Sequence, residues 1–153
     1  MTGIIRIAVE SDIPGMHRVR ISVKENALSN PDRIGPADYC AMLFEDGRGW
    51  VCELDGEIAG FAVADLKRAN VWALFVAPEF ERRGIGRRLH DTMMDWMFDA
   101  DPALDLVWLG TAPDSRAEGV YLAAGWARIG LQPDGEIRFE MSRERWLAKK
   151  LAG

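Results

Sequence analysis

Leu74-Phe75-Val76-Ala77-Pro78-Glu79-Phe80-Glu81-Arg82-Arg83-Gly84-Ile85-Gly86-Arg87-Arg88-Leu89 is the stretch from which the rest of the chain can be read. An apolar strand stops at a proline, and an arginine-rich loop with two glycines opens a helix. The first turn of a helix has backbone N–H groups without internal partners and carries about half a positive charge. Glycine lets a ligand's oxygens approach those donors because no Cβ stands in the way. Arg82, Arg83, Arg87 and Arg88 place cations around the same rim. Together these features describe a cradle for a phosphate or pyrophosphate. The spacing is neither that of the P-loop, which needs Lys-Ser/Thr after its second glycine, nor G-x-G-x-x-G, because Leu89 occupies the third glycine position.

Working outward, Val71 to Val76 is apolar on both faces and predicts a central strand. Two strands precede it, Trp50–Leu54 and Glu57–Ala64, flanking Asp55-Gly56, a strong hairpin signal. Upstream, Ile4–Val9 reads as a strand. Ser11 or Asp12 then caps a helix with Pro14 in its first turn, whose apolar face is Ile13, Met16, Val19 or Ile21, and Val23. Asn30-Pro31 breaks that pattern, and a short helix begins at Pro36, carrying Tyr39, Met42 and Leu43. Downstream, Ile85, Leu89, Met93, Trp96 and Met97 fall on one helical stripe that ends at Asp101-Pro102. A strand at Leu106–Leu109, a helix at Arg116–Ala124 stopped by Gly125, a hairpin of Ala127–Leu131 and Glu136–Met141, and a peripheral helix over Arg143–Leu151 complete a mixed α/β order.

The 153 residues, 48% hydrophobic and 28% charged, suffice for one compact domain spanning 1–153 and are too apolar for a disordered chain. No run approaches the ~18 apolar residues of a membrane span, and Met1 to Arg6 lacks a signal-peptide pattern, so a cytoplasmic protein without a membrane partner is expected. A net charge of −5 without a basic stripe argues against nucleic-acid binding. Cys40 and Cys52 make no disulfide framework, and His17 and His90 lack metal-ligand spacing, so reduced thiols and no metal are expected.

The sequence resembles the GNAT superfamily of acetyl-CoA-dependent N-acetyltransferases. Their first signature, a strand ending near V-x-P followed by Q/R-x-x-G-x-G/A, is matched by Val76-Ala77-Pro78 and Glu81-Arg82-Arg83-Gly84-Ile85-Gly86. The second, N-x-x-A-x-x-F/L-Y followed by G-F/W, is similar to Asp114 through Tyr121 with Gly125-Trp126. The resemblance implies a central, mostly antiparallel twisted sheet with a splayed parallel pair and helices on both faces. It further implies that Glu81, Arg82, Arg83, Gly84, Ile85, Gly86 and Arg87 surround the pyrophosphate of acetyl-CoA. Leu74, Phe75 and Val76 would line the acyl arm, with main-chain groups of Leu74 and Val76 pairing with it as β-strand addition in miniature. Asp114 would face the cofactor, and Tyr121 would protonate the departing thiolate. The reaction implied is transfer of an acetyl group to a primary amine, on a small molecule or a peptide, by direct attack. No covalent enzyme intermediate is expected, since neither cysteine sits beside a visible base. Family members are often dimers, which makes a homodimer a candidate assembly.

Three departures from the pattern matter. Glu81 replaces Gln or Arg, Asp114 stands where Asn is usual, and Asn70 lies where some members carry a glutamate base. Glu25, in the segment Lys24-Glu25-Asn26 that the resemblance sets at the acceptor cleft, is a candidate base, and Asp65 is another. Trp72 is a candidate for the acceptor pocket, on the face of its strand shared with Leu74. The acidic net charge leans toward a cationic acceptor. The rival reading is a non-catalytic acyl-CoA-binding module.

Overall fold

The computed structural model describes residues 3–23 and 34–152. The chain gathers into two compact units, Met1–Met97 and Phe98–Gly153. The first holds the strands β1 (Ile4–Ile7), β2 (Gly47–Leu54), β3 (Glu57–Asp65) and β4 (Asn70–Val76), paired antiparallel in chain order. Asp55 and Gly56 have φ of 52° and 80°, so the β2–β3 hairpin closes on the type I′ geometry that Asp-Gly favours. Helix α1 (Ile13–Ser22) buries Ile13, Met16 and Val19 against this sheet, while Ile21 is 41% exposed and leaves the stripe. Helix α2 (Pro36–Cys40) runs on into a π-helical turn over Ala41–Asp46, and Tyr39 and Leu43 are buried beside α1. Helix α3 (Ile85–Ala100) buries Ile85, Leu89, Met93 and Met97 of the predicted stripe, leaves Trp96 half-buried beside Trp50, and also buries His90, Met94 and Phe98.

The structure departs from two local expectations near the N-terminus. β1 stops at Ile7 rather than Val9, because Asp12 turns back on the chain. The Asp12 carboxylate accepts the Val9 N–H at 2.8 Å and both terminal nitrogens of Arg6 at 2.8 Å. It therefore makes no side-chain cap on α1. Arg6 holds this buried carboxyl below the ordinary carboxylate range, by hydrogen bonding first and charge second.

The second unit carries β5 (Leu106–Thr111), helix α4 (Arg116–Ala123), β6 (Ala127–Leu131), β7 (Ile137–Ser142) and helix α5 (Arg143–Ala152). Strand β7 pairs antiparallel with both β5 and β6. Strict alternation buries Val107, Leu109, Thr111, Ile137, Phe139 and Met141. Gly125, at φ 95°, ends α4, and the Trp126 N–H reaches back to the Tyr121 carbonyl at 3.0 Å, the hydrogen bond of a Schellman stop. Arg143 gathers the chain after α3 by donating to the carbonyls of Phe98, Asp101 and Leu104. Helix α5 is less peripheral than its charges suggest, since Trp146 is 3% exposed. No helix among the described residues is long and apolar enough to cross a membrane.

Candidate functional site

Strand β4 carries one irregularity that sets its chemistry. Val63 faces Ala73, but Ala64 faces Val71, so Trp72 is an extra residue on β4, a β-bulge. A bulge places two neighbouring side chains on one face and re-aims everything beyond it. Trp72, Ala73 and Phe75 accordingly all pack with the core beneath α1 and α2. Val76 faces the opposite way, toward α3: a Cβ built on Gly86 would lie 3.4 Å from Val76 Cγ2. The expectation that Trp72 shares a face with Leu74 therefore fails, because it assumed an unbroken period of two.

The backbone of β4 can be oriented in the same way. The Ala77 N–H donates to the Ala59 carbonyl at 2.8 Å, and the Phe75 carbonyl lies 2.9 Å from where a Gly60 Cβ would stand. Residues 75 and 77 thus direct their main-chain groups at β3. In a strand, successive residues alternate in this respect, so the N–H and C=O groups of Leu74 and Val76 point away from β3.

Pro78–Phe80 then make a single 3₁₀ turn, and Glu81 leaves it in extended conformation. Arg82 and Gly84 both have positive φ, 62° and 77°, which folds the loop back on itself before α3. The first intrahelical hydrogen bond runs from the Arg88 N–H to the Gly84 carbonyl at 3.1 Å. The N–H groups of Ile85, Gly86 and Arg87 therefore precede any helical partner. A Cβ on Gly84 would have nothing within 4 Å, so the loop is open on that side. Arg82, Arg83 and Arg87 are exposed around this turn, and Arg83 lies over the Phe80 ring at 5.6 Å. Arg88 does not belong to the rim: it is half-buried and donates to the Gly3 carbonyl at 3.1 Å. Ile85 is 2% exposed, so only its main chain is available to a ligand, and Glu81 is half-buried. Main-chain donors and exposed cations fit a diphosphate.

In the second unit, Tyr121 lies on α4 with its ring against Trp126 and Phe139, centroids 5.6 and 6.1 Å apart. Burial pushes its hydroxyl well above the ordinary phenol value, with no hydrogen bond contributing. Such a phenol holds its proton at neutral pH and can donate a hydrogen bond. Asp114 is exposed at φ 55°, and its N–H donates to Glu118 Oε2 at 2.7 Å. Glu118 in turn meets Arg128 at 3.1 Å. This brace shapes the turn that leads into α4.

Of the candidate bases, Glu25 lies outside the described residues. Asp65 is 1% exposed, accepting from the Arg68 side chain at 2.8 Å and from its N–H at 3.1 Å. That carboxylate serves the β3–β4 turn and is not an exposed acid. Asn70 opens β4 opposite Asp65. His17 Nδ1 meets the Tyr39 hydroxyl at 2.9 Å, and His90 meets Asp91 at 2.8 Å. Sequence reasoning missed Arg20, whose guanidinium carbon lies 5.1 Å from the centroids of both Trp72 and Phe75. Its position, one turn beyond Met16 and beside Val19 on α1, was the available signal.

The sequence model of the acetyltransferase (GNAT) family matches residues 17–126, which contain β4, the arginine-rich loop and Tyr121. An uncharacterized N-acetyltransferase of Archaeoglobus fulgidus is 30% identical over 90 residues, 52% of this chain; the chain spans 60% of that relative's length. Among solved structures, the PaiA N-acetyltransferase of Thermoplasma acidophilum in complex with coenzyme A superposes with a TM-score of 0.78, at 13% identity over 93% of this chain and 99% of that one. A ribosomal-protein-alanine N-acetyltransferase from Brucella melitensis gives 0.70 at 19% identity, covering 91% and 99%. The spermidine/spermine N-acetyltransferase SpeG of Vibrio cholerae gives 0.70 at 15% identity, covering 96% and 97%. These likenesses share one fold, mixed α/β with mostly antiparallel strands. With its family model covering more than half of the sequence, the chain belongs to the GNAT family of acetyltransferases.

Proposed function

We propose that this protein transfers an acetyl group from acetyl-CoA to a primary amine by direct attack. The observation that carries the reading is the open turn at Gly84, which presents the N–H groups of Ile85, Gly86 and Arg87 among exposed arginines. The diphosphate of the donor sits on those N–H groups, with Arg82, Arg83 and Arg87 around it. Glu81 and Asp114 flank the donor, Glu81 through its main chain. The acyl arm lies along β4, hydrogen-bonded to the main-chain groups of Leu74 and Val76 that face away from β3, with Phe75 holding the strand from the other side.

The amine nitrogen attacks the thioester carbonyl carbon, a C–N bond forms, the C–S bond breaks, and the surplus proton on nitrogen passes through solvent to the departing thiolate, giving the amide and free CoA thiol. Tyr121 donates a hydrogen bond to the sulfur as negative charge develops there, which stabilises the thiolate without requiring the phenol to ionise. The amine must first shed a proton. For a lysine-like amine at pH 7 that costs about 4.6 kcal/mol, from 1.36 kcal/mol per pK unit. Glu25 or a solvent path accepts that proton.

Calorimetry with CoA, followed by an acetyl-CoA turnover screen across small amines, antibiotics and peptides, tests the reading. Micromolar CoA binding together with turnover on at least one amine is the expected result. CoA binding with no turnover on any amine would instead favour the acyl-CoA-binding module, and absence of CoA binding would refute both.

A further inference from the structure

Among the described residues, Arg20 alone carries buried side-chain nitrogens without a hydrogen-bond partner. Its Nε and Nη1 atoms are buried and make no hydrogen bond to any described residue. Its guanidinium carbon lies 5.1 Å from the ring centroids of Trp72 and Phe75 alike. Tyr39 completes the surroundings: its ring meets Trp72 edge-on at 5.3 Å, and its hydroxyl pairs with His17 at 2.9 Å and accepts from the Arg20 side chain. No carboxylate is paired with Arg20 among the described residues. Buried polar groups almost always have partners, and the exceptions call for an explanation such as an absent ligand or ion. Aromatic faces attract the cation but accept none of its N–H bonds in the plane of the guanidinium.

The position of this charge bears on the reaction. Phe75 stands between Leu74 and Val76, the two residues assigned above to the acyl arm, and Cα atoms of neighbouring residues are about 3.8 Å apart. The bulge at Trp72 aims both aromatic side chains onto the face where α1 lies. An acceptor that reaches the thioester over this face meets Arg20 next. The residue as a whole is half-buried, while its Nε and Nη1 atoms are buried.

We propose that the acceptor is a carboxylate-bearing primary amine, of the amino-acid type, whose carboxylate docks on Arg20. The inference rests on the acetyl-transfer reading and specifies its substrate class. A carboxylate matches a guanidinium in planarity, charge and hydrogen-bond number. One guanidinium with two unpartnered nitrogens suits one negative charge better than a phosphate dianion. It also opposes a polyamine, because a second ammonium would be brought against a fixed positive charge in a poorly solvated place. The lean toward a cationic acceptor drawn from net charge is thereby reversed by the local charge.

The test pairs each proteinogenic amino acid with its carboxamide, adds spermidine, and measures kcat and KM for acetyl transfer. It is run on the native protein, Arg20→Met and Arg20→Lys, with thermal melts to verify folding. Separately, the same amino acids and amides are titrated calorimetrically into the CoA-saturated protein. Preferred amino acids should exceed their amides by about tenfold or more in kcat/KM, chiefly through KM. Arg20→Met should bring that ratio to within about twofold of unity. Arg20→Lys, which keeps the charge but loses the planar fork, should fall between. If Arg20→Met does not fold, the native ratio and the Arg20→Lys loss decide. Equal or better use of amides or spermidine, or a ratio that survives Arg20→Met, would overturn the proposal while leaving acetyl transfer standing. Arg20-dependent binding of amino acids with no turnover on any amine would uphold the carboxylate site and remove the transfer reading. Binding of neither class to the CoA-loaded protein, without turnover, would remove both.

Discussion

Replacement of Gly84 gives two separable effects whose sizes follow from the loop. At φ 77°, any side chain other than glycine is strained, at about 1–2 kcal/mol for an L-residue held in the left-handed region. Nothing lies within 4 Å of the added Cβ, so steric clash adds little to that strain. For a chain of this size, 1–2 kcal/mol corresponds to a fall in Tm of about 2–8 °C. Gly84→Ala and Gly84→Asp should share that loss, and aspartate's better tolerance of positive φ should make it the milder of the two. Their effects on CoA should differ. A carboxylate about 6 Å from one phosphate charge, at an effective dielectric of about 40, costs about 1.4 kcal/mol, or about tenfold in Kd. Each further phosphate charge at similar range adds as much again, whereas alanine removes only access. Calorimetry at low salt should therefore show CoA bound at least about tenfold more weakly by Gly84→Asp than by Gly84→Ala, and the gap should narrow at high ionic strength. If the two variants bind CoA equally, or as tightly as the native protein, the diphosphate does not sit on this turn.

Three further outcomes follow from the structure. Tyr121→Phe should lower kcat by about 10- to 100-fold with little change in CoA affinity, because the hydroxyl is assigned to the departing sulfur; unchanged single-turnover rates would withdraw that role. Asp12→Asn should destabilise the fold by about 1–2 kcal/mol in urea melts, below the fully buried limit since Arg6 is 37% exposed. The native-state pKa of Asp12 is depressed, so its contribution is complete above about pH 4 and is lost as pH falls through the folded value; a difference between native and variant that grows on acidification would contradict this. Gly47→Ala should cost about 3 kcal/mol or prevent folding, because its Cβ would stand 1.7 Å from the Ala64 carbonyl oxygen, a backbone atom that cannot move aside; a melting temperature within a degree or two of the native protein would show that β2 and β3 can separate there.

Much of the fold is legible in the sequence because it is written in local terms. Asp55-Gly56 needs no partner to specify its turn, and Ile85, Leu89, Met93 and Met97 define their buried stripe from spacing alone. The open loop at Gly84 is legible for the same reason. What stays hidden depends on a second chain segment. The bulge at Trp72 exists only relative to Val63 and Ala64 on β3, so a reading of β4 by itself assigns the tryptophan to the wrong face. Asp12 has the composition of a helix cap, but Arg6 and Glu53 form a competing charge cluster that nothing in the local sequence announces. Arg88 follows the pattern of the rim arginines and is withdrawn from it by the Gly3 carbonyl, 85 residues away. Arg20 reads as one more polar residue on an amphipathic helix until two aromatic rings from β4 close around it.

The extra residue at position 72 also makes β4 a strand whose parity is broken once. Deleting one residue between Val71 and Ala73 would restore even counting, and the indole would have to leave the face that holds Tyr39 or vanish from the strand altogether. Inserting one residue elsewhere in Asn70–Val76 would instead exchange inner for outer positions along the remainder of the strand. Single-residue insertions and deletions in this segment should therefore be far less tolerated than substitutions. An alignment of this strand to a distant relative by hydrophobic alternation alone would slip by one position on one side of the tryptophan.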